Sequence, residues 1–139
     1  MLPRTAIILT LLVASAAVPA AAEDSAVRVE LNTAETTGTA CRLSFLVENT
    51  HATDIAQVVY ETVLFDADGA VNQLTLFDFG TLPANRPRVR QFEVPGLACD
   101  GLSRILINGA STCDAGALGA DICSTTLRLI NRTAIALLG

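Results

Sequence analysis

No lysine occurs in this 139-residue sequence: all nine basic residues are arginine, set against fourteen acids for a formal net charge of −5. That balance excludes a basic surface for nucleic acid, and arginine-only usage is what a GC-rich bacterial genome produces. Tryptophan is also missing, and His51 and Tyr60 each stand alone. A Ser/His/Asp triad needs three groups within hydrogen-bond reach and an oxyanion hole. With one histidine, in a turn beside Asp54, and no G-x-S-x-G, no catalytic residue is assigned and no enzyme is expected. The four cysteines contain no C-x-x-C spacing, which argues against a metal centre built from all four thiolates, and no metal or other cofactor is assigned. No segment of ten or more residues has helical periodicity with caps. No apolar run reaches the roughly 20 residues of a membrane span.

What is present begins with a leader. Arg4 precedes an apolar or small stretch, Thr5 to Val18, and Ala20-Ala21-Ala22 stands before Glu23. A short basic start, an apolar core and an A-x-A site describe a secretory signal peptide, so residues 1–22 are expected to be cleaved. Residues 23–139 are left as a single domain, with no stable membrane anchor. Eight arginines then face fourteen acids, a formal −6. Export to a periplasmic or secreted location puts the cysteines where disulfides persist.

Period-two alternation dominates the rest. Val27, Val29 and Leu31 mark one strand, and 33–40 around Gly38 a loop. Cys41, Leu43, Phe45 and Val47 mark a second strand, and Asn49 to Asp54 a turn. Ile55 to Phe65 is the richest β segment, with Val58, Tyr60 and Leu64 assigned to the core. Val59, Val63 and Phe65 are apolar too, which fits a central strand covered on both faces. Asp66-Ala67-Asp68-Gly69 is a hairpin turn, since Asp supports the bend and Gly accepts positive φ. Strands follow at 71–79, 88–94, 102–107 and 127–130. Loops are expected at 80–88, where Pro83 and Pro87 lack donors, and over the Gly/Ala-rich 109–124. Ala134 to Leu138 is expected to complete the last strand, or less favourably to be offered to a partner's sheet edge. About seven short strands with frequent turns predict an antiparallel, immunoglobulin-like β-sandwich.

Strand direction then selects among three cysteine pairings. If every consecutive strand reverses, Cys41 and Cys99 meet at one end of the sandwich, here termed the near end. Cys113 and Cys123 meet in a loop at the far end. The expected bridges are therefore Cys41–Cys99 and Cys113–Cys123. In the loop-entropy description they stabilise by about 4 and about 3 kcal/mol.

The 41–48 strand, its Asn49-Thr50 turn and the Leu64-Phe65-Asp66 step before Gly69 resemble the FxLYD-type modules of exported bacterial proteins. Phe45 matches the motif's Phe, and Phe65 stands where that pattern has Tyr. The resemblance spans about residues 43–94 and does not include the cysteines. It implies an immunoglobulin-like sandwich with no assigned catalysis. The chain is also similar to small uncharacterised periplasmic proteins of proteobacteria, which implies compartment alone.

Three clusters remain as candidates. Arg86, Arg88 and Arg90 alternate, so along one strand face their forks could hold an anion; the competing reading is a charged edge strand that resists edge pairing. Asp66 and Asp68 could share a calcium ion, although the hairpin reading is favoured; Asp54, Asp114 and Asp121 carry a weaker version of that idea. The function expected is a non-enzymatic binding or accessory module with an envelope protein as partner. The alternative is a small secreted inhibitor or ligand-binding protein that presents the Cys113–Cys123 loop, and a third class is a self-assembling subunit joined by strand addition. The sequence leaves the oligomeric state open.

Overall fold

Alternating apolar and polar residues build eight strands in two layers. They are β1 (Val27–Thr37), β2 (Ala40–Asn49), β3 (Ile55–Asp66), β4 (Val71–Leu82), β5 (Arg88–Val94), β6 (Leu102–Asp114), β7 (Leu127–Asn131) and β8 (Ala136–Leu138), with one helical turn, α1 (Ile122–Thr125). The computed structural model describes residues 1, 14, 16–19 and 23–139, so most of the expected leader lies outside the described residues. Sheet A has the order β5-β2-β1-β7 and sheet B the order β4-β3-β6-β8. The result is the immunoglobulin-like sandwich expected, mainly antiparallel and with one strand more among the described residues.

Each consecutive strand does reverse direction, yet two pairings are parallel, β1 with β7 and β6 with β8. The chain changes sheets after β2, β4, β5, β6 and β7, so these partners are not neighbours in sequence and share a direction. Residues 134–138 therefore do not complete the last strand. The Asn131 amide donates to the Ile135 carbonyl at 2.7 Å and its Oδ1 accepts from the Thr133 N–H at 3.0 Å. That turn carries the chain across to sheet B as β8. The first residues of two expected loops are likewise strand, up to Leu82 and up to Asp114. β4 runs on through Gly80, which takes φ +66° at a bulge, and β6 continues through Gly109 to Asp114 by bulging twice against β3. Small residues there read as loop because nothing in them alternates; pairing with β3 extends them. β1 and β2 also meet in a tight hairpin, shortening the loop expected at 33–40.

Between the layers lie Val27, Val29, Leu31, Leu43, Val47, Val58, Leu64 and Ile105, all without solvent exposure. Phe45, Phe77, Phe79, Phe92 and Tyr60 interlock among them, with Phe77 and Phe92 stacked at 4.3 Å and Tyr60 edge-on to Phe79 at 5.7 Å. Val58, Tyr60 and Leu64 are fully buried, as expected. Both disulfides form as the strand directions require, Cys41–Cys99 with Cα atoms 4.7 Å apart and Cys113–Cys123 with 6.0 Å. Two disulfides in one small sandwich match an oxidising, extracytoplasmic environment.

Candidate interaction surface

Four strands place one residue each in a transverse row on the outer face of sheet B. Leu74 of β4 lies opposite Val63 of β3, Val63 opposite Leu106 of β6, and Leu106 opposite Leu138 of β8. At about 4.8 Å per strand this row is about 14 Å wide. Its ends are open, Leu74 being 58% and Leu138 44% exposed, whereas Val63 in the middle is 8% exposed because neighbouring strands flank it. Leu76 adds a further exposed side chain opposite Glu61, whose Oε1 accepts from the Asn108 amide at 2.6 Å. On the other side Phe65 lies opposite Val71, with the Arg104 guanidinium over its ring at 4.8 Å. An aliphatic row that opens to solvent at both ends and is rimmed by such polar groups forms a candidate contact surface. Sequence alone places Val63 in a strand covered on both faces and Leu138 in the 134–138 tail, and does not connect them. The signal that identifies the row is the register between strands, which no single segment contains.

The outer face of sheet A has the same geometry with different chemistry. Its row runs Val89, Leu46, Glu30, Ile130. Glu30 is buried on this outer face, because Asn32 donates to Oε1 at 2.7 Å and the Arg132 Nε–H donates to the same oxygen at 2.8 Å. The Asn32 bond, with help from the bond and charge of Arg132, holds the Glu30 carboxyl below the usual glutamate range against the opposing effect of burial. Arg132 also lines, with Asn32, Asp100 and Thr133, an open groove of about 460 Å³ at the near end.

The three arginines do not share a strand face. Arg86 sits in the loop before β5, while Arg88 and Arg90 lie on the strand. Arg90 reaches around the flank of the sandwich to β4, donating through Nε to the Phe79 carbonyl at 2.7 Å and through Nη2 to the Thr81 carbonyl at 3.1 Å. Its fork ties the two sheets together through carbonyls of the chain itself.

The other candidates close turns. Asp66 Oδ1 accepts from the Asp68 and Ala70 N–H groups, both at 3.0 Å, and Asp54 Oδ1 from the Ala84 N–H at 2.8 Å. Among the described residues no group of three or more His, Cys, Asp or Glu is placed to hold a metal ion. His51, expected as an exposed turn residue, is buried. Its Nε2 lies 3.0 Å from Thr126 Oγ1, and that hydroxyl donates its only proton to the Ile122 carbonyl at 2.6 Å. Nε2–H is therefore the donor to Thr126, and the ring ties the 49–54 turn to the start of β7. Asn49 anchors the same turn, with its amide donating to the Thr53 and Leu82 carbonyls at 2.8 and 3.0 Å. Tyr60 bridges layers by donating its hydroxyl to the Cys123 carbonyl at 2.7 Å, and burial pushes its phenol pKa upward.

Compared with protein families, curated proteins and solved structures, the chain matches none. The residues that carry the FxLYD resemblance each have a structural task here: Phe45 in the aromatic core, Asn49 at the far-end turn and Asp66 in the hairpin.

Proposed function

We propose that this chain is an exported, non-catalytic β-sandwich module that binds another envelope protein through the outer face of sheet B. The observation that carries this reading is the aliphatic row Leu74–Val63–Leu106–Leu138, open to solvent at both ends. Such surfaces occur where a partner covers them. Export, to the periplasm or beyond the cell, is supported by the apolar leader and the two disulfides, and an FxLYD-like module fits a role without chemistry of its own. The test uses the mature chain as bait in an envelope extract, beside a Leu106→Lys variant whose folding is verified by circular dichroism. A protein crosslinked to the wild type and lost with Leu106→Lys supports the reading. Identical captures by both sink it.

A second reading rests on the far pole. The Cys113–Cys123 bridge and the Tyr60 hydroxyl together fix the 115–122 loop, giving a rigid tip of the sort a secreted inhibitor presents to an enzyme. Scrambling the residues between the two cysteines would abolish such an activity and leave capture through sheet B unchanged.

A further inference from the structure

The polar backbone of β4 is unevenly covered, and the hairpin that starts the strand shows which groups face outward. Asp66 and Ala70 form a hydrogen-bonded pair, with the Asp66 N–H donating to the Ala70 carbonyl at 2.9 Å. In an antiparallel ladder every second residue of a strand turns both its N–H and its C=O to the same neighbour. Leu64, Thr62 and Tyr60 therefore also face β4, since the bulge beside Leu64 inserts its extra residue into β4 and leaves β3 regular. They lie opposite Gln73, Thr75 and Phe77. The intervening residues, Leu74, Leu76 and Asp78, direct their N–H and C=O groups away from the sheet.

Beyond Asp78 the edge is closed, because Arg90 occupies the Phe79 and Thr81 carbonyls. The neighbouring edge, β5, carries Arg88, Arg90 and Glu93 between Pro87 and Pro95. Charges, prolines and bulges are how edge strands avoid pairing with other chains. Residues 72–78 of β4 have no proline, no cation and one charge, Asp78, and from Gln73 to Asp78 the register is unbroken.

We infer that this open stretch pairs antiparallel with the same stretch of a second copy of the chain, about a two-fold axis at Thr75. The sequence is self-complementary in that register. Leu74 faces Leu76 of the second copy and Leu76 faces its Leu74, so outward-directed backbone groups meet outward-directed groups. Asp78 meets Asn72, an amide that can donate to it, so the lone charge of each strand avoids its own image. A two-fold contact of this kind closes on itself instead of propagating. It also joins the two aliphatic rows side by side, making one sheet from both copies. The inference concerns self-association and stands apart from whatever the outer face binds.

Sedimentation velocity on the mature chain, from micromolar to submillimolar concentration, provides the test. The expected result is a reversible monomer–dimer equilibrium. Leu76→Lys, which puts a charge at an exposed position, should weaken the dimer roughly tenfold, because it removes both Leu74–Leu76 cross-strand pairs and places a cation on the pairing edge. Leu74→Lys should act in the same direction, and Leu138→Lys, on the opposite edge of the same sheet, should leave the equilibrium unchanged. Hydrogen exchange at the Leu74 and Leu76 amides should slow as the protein is concentrated. A monomer at every concentration overturns the inference, as does a dimer indifferent to both leucine variants or one dissolved equally by Leu138→Lys.

Discussion

The two sheets are built alike and finished differently. Each has four strands, each is tied at one pole by a disulfide, and each carries a four-residue row across its outer face. In sheet B all four members of the row are aliphatic; in sheet A one of them is Glu30, tethered by Asn32 and Arg132. The Arg42–Glu93 pair, at 2.9 Å, and the Gln91–Ser44 hydrogen bond, at the same distance, add polar groups around it. An apolar surface can be covered by any complementary apolar surface, whereas covering Glu30 and Arg132 would require their water and charge to be replaced. The Glu30 carboxylate lies among three exposed aliphatics, Val89, Leu46 and Ile130, and makes sheet A the costlier face to cover. The edges repeat the contrast: β5 is charged and bounded by prolines, and half of β4 is bare.

The largest expected effect tests the disulfides at the two poles. Replacing Cys41 and Cys99 together by alanine should lower the unfolding free energy by about 4 kcal/mol, against about 3 kcal/mol for the shorter Cys113–Cys123 link. Urea denaturation of the two double variants measures the difference directly. If the far-pole pair proved the costlier, the loop-length account of these staples would be wrong. Next comes the flank. Arg90→Ala removes two charge-assisted bonds to β4 carbonyls and should cost about 2 kcal/mol. It should also open the edge at Phe79 and Thr81, so self-association should rise even as the melting temperature falls.

Glu30→Gln probes the centre of sheet A. Arg132 is 64% exposed on its side chain against 10% for Glu30, so water takes up much of the freed charge and the loss should be only about 1 kcal/mol. The folded carboxyl titrates below its ordinary range. Its contribution is therefore complete above the unfolded glutamate value of about 4.3 and disappears as pH falls through the lower folded value. Denaturation of wild type and variant should differ at pH 7 and converge toward pH 3. A gap that persisted in acid would mean that packing, and not charge, holds this residue. The smallest effect belongs to sheet B: Leu74→Lys should alter monomer stability by no more than about 0.5 kcal/mol, since its side chain touches mostly water. A larger loss would show that the row is part of the core.

Much of the architecture is legible in the sequence. Cys41 to Val47 and Ile55 to Phe65 announce strands by alternation, and Asp66 to Gly69 announces a reversal. The far-end residues were harder. His51 reads as an exposed turn residue, and only β7 arriving beside it with Thr126 buries it. Arg90 reads as one of three anion-binding forks until β4 supplies the carbonyls that occupy it. The candidate surface was legible only in part, because Leu74, Val63, Leu106 and Leu138 are far apart in sequence and become one row by register.

Alternation and turn chemistry, properties of adjacent residues, determined the strands and their directions, and through those directions the cysteine pairing. The tertiary structure alone decided which strand lies beside which: β7 against β1, β8 against β6, and Glu30 beneath Arg132. Direction follows from short turns that reverse the chain locally. Lateral partners are chosen by hydrogen bonding and burial between segments up to a hundred residues apart, and no local pattern encodes that choice.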